Sequence, residues 1–200
     1  MAGGRTYRTL AIVLDKTKLR ETDLIFTLLA ENGRQLRAVG KGARKPGSCE
    51  LGCKVDLLLA HCRSLDVFAE ATLVEATLGA APSYELLSAA SALADVAKAC
   101  CFEDAEDPFV YQITLRAEQV LGGSCVAAYV FKLLSHLGYR PDWSACVACG
   151  DPAVTYFSAT AGGLLCASCA RNVPGAEKLD AVTVGWLQSL ISLRFDELAA

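Results

Sequence analysis

The sequence predicts an α+β chain, with a small β-barrel first and then an α-helical domain that carries a four-cysteine metal knuckle. Three observations predict it. Short β-branched and aromatic runs separated by turn residues fill the first 79 residues, and apolar residues recur at threes and fours after Pro82. Cys146-Val147-Ala148-Cys149 is followed, sixteen residues on, by Cys166-Ala167-Ser168-Cys169. These divide the chain into 1–79 and 80–200, with the metal-binding insertion at 144–171.

Taken in order, Thr6 to Leu14 is β-branched and aromatic and reads as a first strand. Leu24 to Ala30 is apolar on both faces, as a strand buried in a closed barrel can be. Asn32-Gly33 is the strongest hairpin signal: both residues tolerate positive φ, so a type I' turn should pair Leu24–Ala30 with Arg34–Val39. Lys54 to Cys62 and Asp66 to Val74 complete five strands, joined by Arg63-Ser64-Leu65. Five short antiparallel strands suit the OB-fold barrel, the common nucleic-acid-binding form of that architecture. Between the third and fourth strands lies Gly40-Lys41-Gly42-Ala43-Arg44-Lys45-Pro46-Gly47, a glycine-opened loop with three cations that can neutralise phosphates without reading bases. It is not a nucleotide-hydrolysing phosphate loop. Six residues separate Gly33 from Gly40 where four are required, and Gly42 stands where a Ser or Thr must hold Mg2+.

Ser83 is placed to cap a first helix through Leu86, Leu87, Ala90, Leu93, Ala94 and Ala97. Pro108 suits the first turn of a second, running to Leu121, and Gly122-Gly123 should end it. A third helix, capped by Ser124, spans Cys125 to Leu137 and stops at Gly138; its stripe of Tyr129, Val130, Leu133, Leu134 and Leu137 reads as core. Phe109, Tyr111 and that stripe offer the alternative of a groove for a partner peptide. His136 reads as packing at the helix end. A last helix covers Asp180 to Leu193 around Val184, Leu187, Leu190 and Ile191, with Trp186 expected in the core.

The cysteine spacing carries the sharpest chemistry. Two residues between cysteines let one turn aim two thiolates at one metal, and a hairpin through Gly162-Gly163, with strands at Val154–Ser158 and Leu164-Leu165, brings two such turns together. Cys146, Cys149, Cys166 and Cys169 are the predicted ligands of one structural Zn2+. Four sulfurs leave no open coordination position, which argues against metal-dependent hydrolysis. Of ten cysteines, the other six read as reduced thiols; a second site from Cys49, Cys53 and Cys62 has loose spacing and no fourth ligand nearby. No apolar run approaches the ~18 residues of a membrane span and no export signal opens the chain, so a soluble, cytoplasmic protein is expected.

Net charge is -3, but it is polarised. Residues 1–63 hold twelve Lys/Arg against six Asp/Glu, a balance of +6, and the remainder seven against sixteen, a balance of -9. A basic module joined to an acidic one is expected when one part meets phosphate and the other meets protein or keeps the whole soluble; the alternative is a solvated basic face with no partner.

Arg8-Thr9-Leu10-Ala11-Ile12-Val13-Leu14, Arg20-Glu21-Thr22-Asp23, Gly40 through Lys45, Leu137-Gly138-Tyr139 through Pro141, Cys146 through Gly150 and Gly162 through Cys166 resemble, in that order, the RecO family of bacterial DNA repair proteins. The resemblance covers nearly the whole chain. It implies an N-terminal OB-fold, a helical domain with an inserted zinc knuckle, and a recombination mediator rather than an enzyme. Such a protein binds single- and double-stranded DNA, anneals complementary strands, contacts the single-stranded-DNA-binding protein, and with RecR assists RecA onto covered strands in the nucleoid. It further implies Arg20, Arg34, Arg37, Lys41, Arg44 and Lys45 as phosphate contacts. Two departures stand out: the Cys49–Cys53 connection is short for the family, and so is the C-terminus. The alternative function is a zinc-containing interaction adaptor whose acidic half binds a partner while the barrel serves as scaffold.

Overall fold

The computed structural model describes residues 6–42, 49–78, 82–121, 125–141 and 143–198. Five strands, β1 (Thr6–Lys18), β2 (Leu24–Ala30), β3 (Gln35–Gly40), β4 (Lys54–Ala60) and β5 (Asp66–Glu75), close a barrel in the order β1-β2-β3-β5-β4. All neighbours are antiparallel except β3 and β5, which close the barrel through Ala38↔Asp66 and Val39↔Val67. That topology is the OB-fold. Its interior follows the two-residue period of a strand: Val55, Leu57 and Leu59 face in and are fully buried, beside Ala11, Val13, Leu28, Ala38 and Phe26. Phe26 stacks on Phe68 with ring centroids 4.9 Å apart.

Two details differ from the sequence expectation. β1 runs past Leu14 to Lys18, because a bulge between Val13 and Asp15 resets its register so that Asp15, Lys16 and Lys18 still pair with β2. Those charged residues conceal a strand whose outer face is solvated. The β2–β3 turn is not type I': positive φ occurs at Gly33 (+85°), and no described non-glycine residue, Asn32 included, adopts it. The Gly33 N–H donates to Ala30 O and the Ala30 N–H to Arg34 O, the pattern of a tight turn closed by a glycine bulge. Asn32 acts through its side chain, accepting from the Arg34 N–H at 3.2 Å.

Three helices follow: α1 (Tyr84–Cys100), α2 (Pro108–Gln119) and α3 (Cys125–His136). Ser83 caps α1 by accepting from the Leu86 N–H, and Asp107 caps α2 with Pro108 in its first turn. The Gly122-Gly123-Ser124 signal lies outside the described residues. α1 packs on β1 and α2 through Ala90, Leu93, Ala94 and Ala97. Lys98 Nζ reaches Asp15 Oδ2 at 3.1 Å, and Thr114 Oγ1 and Tyr129 OH share a buried hydrogen bond of 2.8 Å. The chain packs as two units, 1–129 and 130–200. α1 and α2 thus belong to the barrel's unit, although the sequence changes character near residue 80.

In the second unit a three-stranded sheet of β6 (Val154–Ser158), β7 (Gly163–Cys166) and β8 (Glu177–Lys178) is joined by α4 (Ala167–Ala170), α5 (Ala181–Ser192) and α6 (Phe195–Leu198). Asp180 caps α5. Trp186 is not core: it is 44% exposed, while Leu190 is fully buried. Trp143 takes the buried aromatic position, stacked on Phe157 and edge-on to Phe131. In α3, Tyr129 and Leu133 are fully buried, whereas Leu137, expected to be its last residue, follows its end and is exposed. α6 and β8, with four and two residues, carry no period long enough to read in sequence.

Candidate metal knuckle and nucleic-acid interface

Each cysteine pair sits on a tight, separately hydrogen-bonded turn. The Gly150 N–H donates to Cys146 O and the Cys146 N–H to Asp151 O, both at 2.8 Å, and Gly150 takes the positive φ (+78°) that lets this turn close. The second pair opens α4, where Cys166 Sγ accepts from the Cys169 N–H. The β6–β7 hairpin pairs Phe157 with Leu164 and Ser158 with Gly163, turning at Gly162 (φ +76°). Val147 N–H donates to Leu164 O, which ties the first turn to β7.

The four Sγ atoms of Cys146, Cys149, Cys166 and Cys169 consequently lie within 4.8 Å of one another, an arrangement that can hold a metal ion. Cys149 and Cys166 Sγ are 3.7 Å apart. A tetrahedron with Zn–S bonds of about 2.3 Å has sulfur–sulfur edges of ~3.8 Å, so this spacing fits zinc and is far longer than a disulfide. Four thiols this close compete for protons. Backbone N–H groups, that of Cys166 foremost, pull the Cys146 thiol down to about 6, while hydrogen bonding to Cys149 first and then Cys166 pushes Cys169 up to about 12. A divalent cation removes that conflict, because all four then bind as thiolates.

The basic residues do not form one patch. Arg20, in the β1–β2 connection, and Lys41, after β3, both act on Asp23, whose carboxyl is held below its usual range first by the Gly42 N–H (3.0 Å to Oδ1). Both cations are exposed, and the pairing of Leu24 with Gly40 brings their segments to one barrel end. Arg37 is exposed partway along β3. Arg34 lies at the opposite end of the β2–β3 hairpin and is committed to the fold, its Nε donating to Glu103 O at 2.7 Å. Arg44 and Lys45 lie outside the described residues. Arg8 and Lys16 are paired with Asp56 and Glu50 respectively.

Two polar arrangements escape a reading of the sequence. Tyr7 OH and His61 Nδ1 both bond to Asp66, which also accepts from the Cys62 N–H. Tyr7 and Asp66 are 59 residues apart, so only the barrel register unites them. Glu118 on α2 is 1% exposed, and neither carboxylate oxygen has a hydrogen-bond partner among the described residues. Burial pushes its carboxyl up to about 7.

A closed OB-fold barrel with exposed cations at one end, joined to helices and a four-cysteine knuckle, is an architecture of a kind that recurs among nucleic-acid-binding proteins; no described helix is long and apolar enough to cross a membrane. The model for the recombination protein O N-terminal domain matches residues 1–77, and that for its C-terminal domain matches 81–200. The chain is 33% identical over 204 residues to the DNA repair protein RecO of Nocardioides sp., covering 93% of this chain and 82% of that one. Against the RecO proteins of Bifidobacterium adolescentis and Cutibacterium acnes the identities are 31% and 32%, over 96% and 93% of this chain and 84% and 82% of theirs. The chain belongs to the RecO family.

Proposed function

We propose that this chain is a non-catalytic recombination mediator that binds single- and double-stranded DNA by its phosphates, promotes annealing, and works beside RecR and the single-stranded-DNA-binding protein in the cytoplasm. The observation that carries the reading is the +6 balance of residues 1–63 on an OB-fold barrel of a DNA repair family. Arg20, Arg37 and Lys41 are exposed on it, and Arg44 and Lys45 follow Lys41 in the sequence, outside the described residues. Counterion release supplies the affinity, and screened strand repulsion lets bases find partners. One Zn2+ held by Cys146, Cys149, Cys166 and Cys169 folds the knuckle and takes no part in chemistry.

An anisotropy titration of a single-stranded oligonucleotide across a salt series tests this. Affinity should fall steeply with salt, and replacing Lys41, Arg44 and Lys45 together with alanine should abolish most binding. A salt-independent affinity, or one untouched by the triple substitution, refutes the phosphate mechanism. The adaptor reading would then lead, supported by the mostly apolar groove of about 500 Å3 that Tyr84, Leu86, Ala89, Ala92 and Val126 line.

A further inference from the structure

A recess of about 450 Å3 opens on the barrel where the start of β1, the β2–β3 turn and the β4–β5 connection meet. Its volume lies in the range of small-molecule sites, about 300–1,000 Å3. Tyr7, Ala30 and Leu36, all at least partly buried, supply its apolar surface; its polar surface is mixed, with Arg8, Arg34 and His61 beside the acids Glu31 and Asp66. Tyr7 shares strand parity with Ala11 and Val13 and packs against the same core cluster. Asp66 fixes the site: its carboxylate holds the Tyr7 hydroxyl on one oxygen and His61 Nδ1, at 2.9 Å, on the other. Burial first, and then Asp66, raises the Tyr7 phenol above its ordinary range, so its hydroxyl stays a donor and its ring stays neutral.

This lining differs from that of the Arg20–Lys41 end. A site for phosphate alone needs cations and N–H donors; an aromatic and aliphatic floor with charge at the edge suits a flat, unstacked heterocycle attached to an anionic backbone. We propose that the recess takes one splayed nucleobase of a single strand, with Arg8, whose side chain is 58% exposed despite its pair with Asp56, beside a flanking phosphate. The inference rests on the DNA-binding reading above and adds base contact to it. It distinguishes single from double strands, since a paired base cannot enter.

The test compares a single-stranded oligonucleotide with an abasic strand of equal length, at fixed moderate salt, for the wild type, His61→Ala and Tyr7→Leu. The wild type should prefer the base-bearing strand about tenfold. Each variant should lose most of that preference while keeping the salt dependence of both strands. His61 is an exposed residue between strands, so its replacement decides the matter even if Tyr7→Leu misfolds. Equal wild-type affinity for the two strands, or a preference surviving in folded variants, overturns the pocket and leaves the phosphate reading standing. No binding of either strand at low salt overturns both.

Discussion

The barrel and the cysteine hairpin are both small β structures, yet different forces hold them. The barrel has no free ladder edge, and Ala11, Val13, Leu28, Ala38, Val55, Leu57 and Leu59 are wholly removed from water inside it. The hairpin sheet ends in a two-residue strand, and its buried cluster is Cys146, Leu165, Cys166 and Ala170, half of it sulfur ligand. Little apolar surface is buried there to offset chain entropy, so a metal on the four cysteines is expected to fold the knuckle, while the barrel needs none to fold.

Removing the metal should therefore break the molecule along that line. Chelation, or Cys149→Ser, is expected to erase hydrogen-exchange protection across the β6–β7 hairpin while the barrel strands keep theirs. Uniform loss of protection would show that the two regions fold as one. The reverse cut is Gly33→Ala. A Cβ at this position would lie 1.8 Å from the backbone oxygen of Asp107, and the +85° φ adds its own strain. Backbone atoms cannot yield as a flexible side chain can, so a loss of about 3 kcal/mol or more is expected by denaturant titration. Zinc content of the soluble protein should stay at one per chain.

Glu118 sharpens the comparison by giving the barrel unit a pH dependence of its own. Its folded carboxyl, at about 7, lies above the ordinary 4.5 because of burial. The folded state therefore binds the proton more tightly. The resulting stability is fully present below about pH 4.5 and is lost as pH rises through 7. Between pH 5 and 8 the wild type should lose roughly 2 to 3 kcal/mol relative to Glu118→Gln, which has no titrating group at that position. Parallel stability curves for the two proteins would refute the assignment. Asp23 and Glu85, whose carboxyls are lowered, titrate in the opposite sense and cancel in that difference.

What the sequence disclosed follows the same division. Local chemistry was legible: β2 at Leu24–Ala30, the Ser83 and Pro108 helix starts, β6 at Val154–Ser158 and the four clustered cysteines each depend on residues within a few positions of one another. Long-range register was not. Asp66 meets Tyr7 only once β4 lies between β1 and β5, and Asp107 crosses Gly33 only when α2 starts beside the β2–β3 turn. Trp186 misled because an apolar helix position gives its period but not its depth, whereas Trp143, in a loop with no period, carries the buried ring. Charge counting found the basic module but gave no sign that Arg34 is held by Glu103 while Arg20 and Lys41 share an end of the barrel.

The smallest expected effect falls on neither fold. Lys41 is exposed, and its nearby acid, Asp23, is already held by the Gly42 N–H. Lys41→Ala should leave denaturation and zinc content unchanged and lower the slope of log affinity against log salt by about one, uniformly across sequences. Arg34→Ala supplies the contrast, since its Nε bond to Glu103 O joins the barrel to the segment before α2. Its loss should cost stability as well as affinity. If Arg34→Ala instead behaves like Lys41→Ala, the cation acts on the strand alone; if Lys41→Ala destabilises the barrel, the cations at that end are structural and the phosphate interface must lie elsewhere.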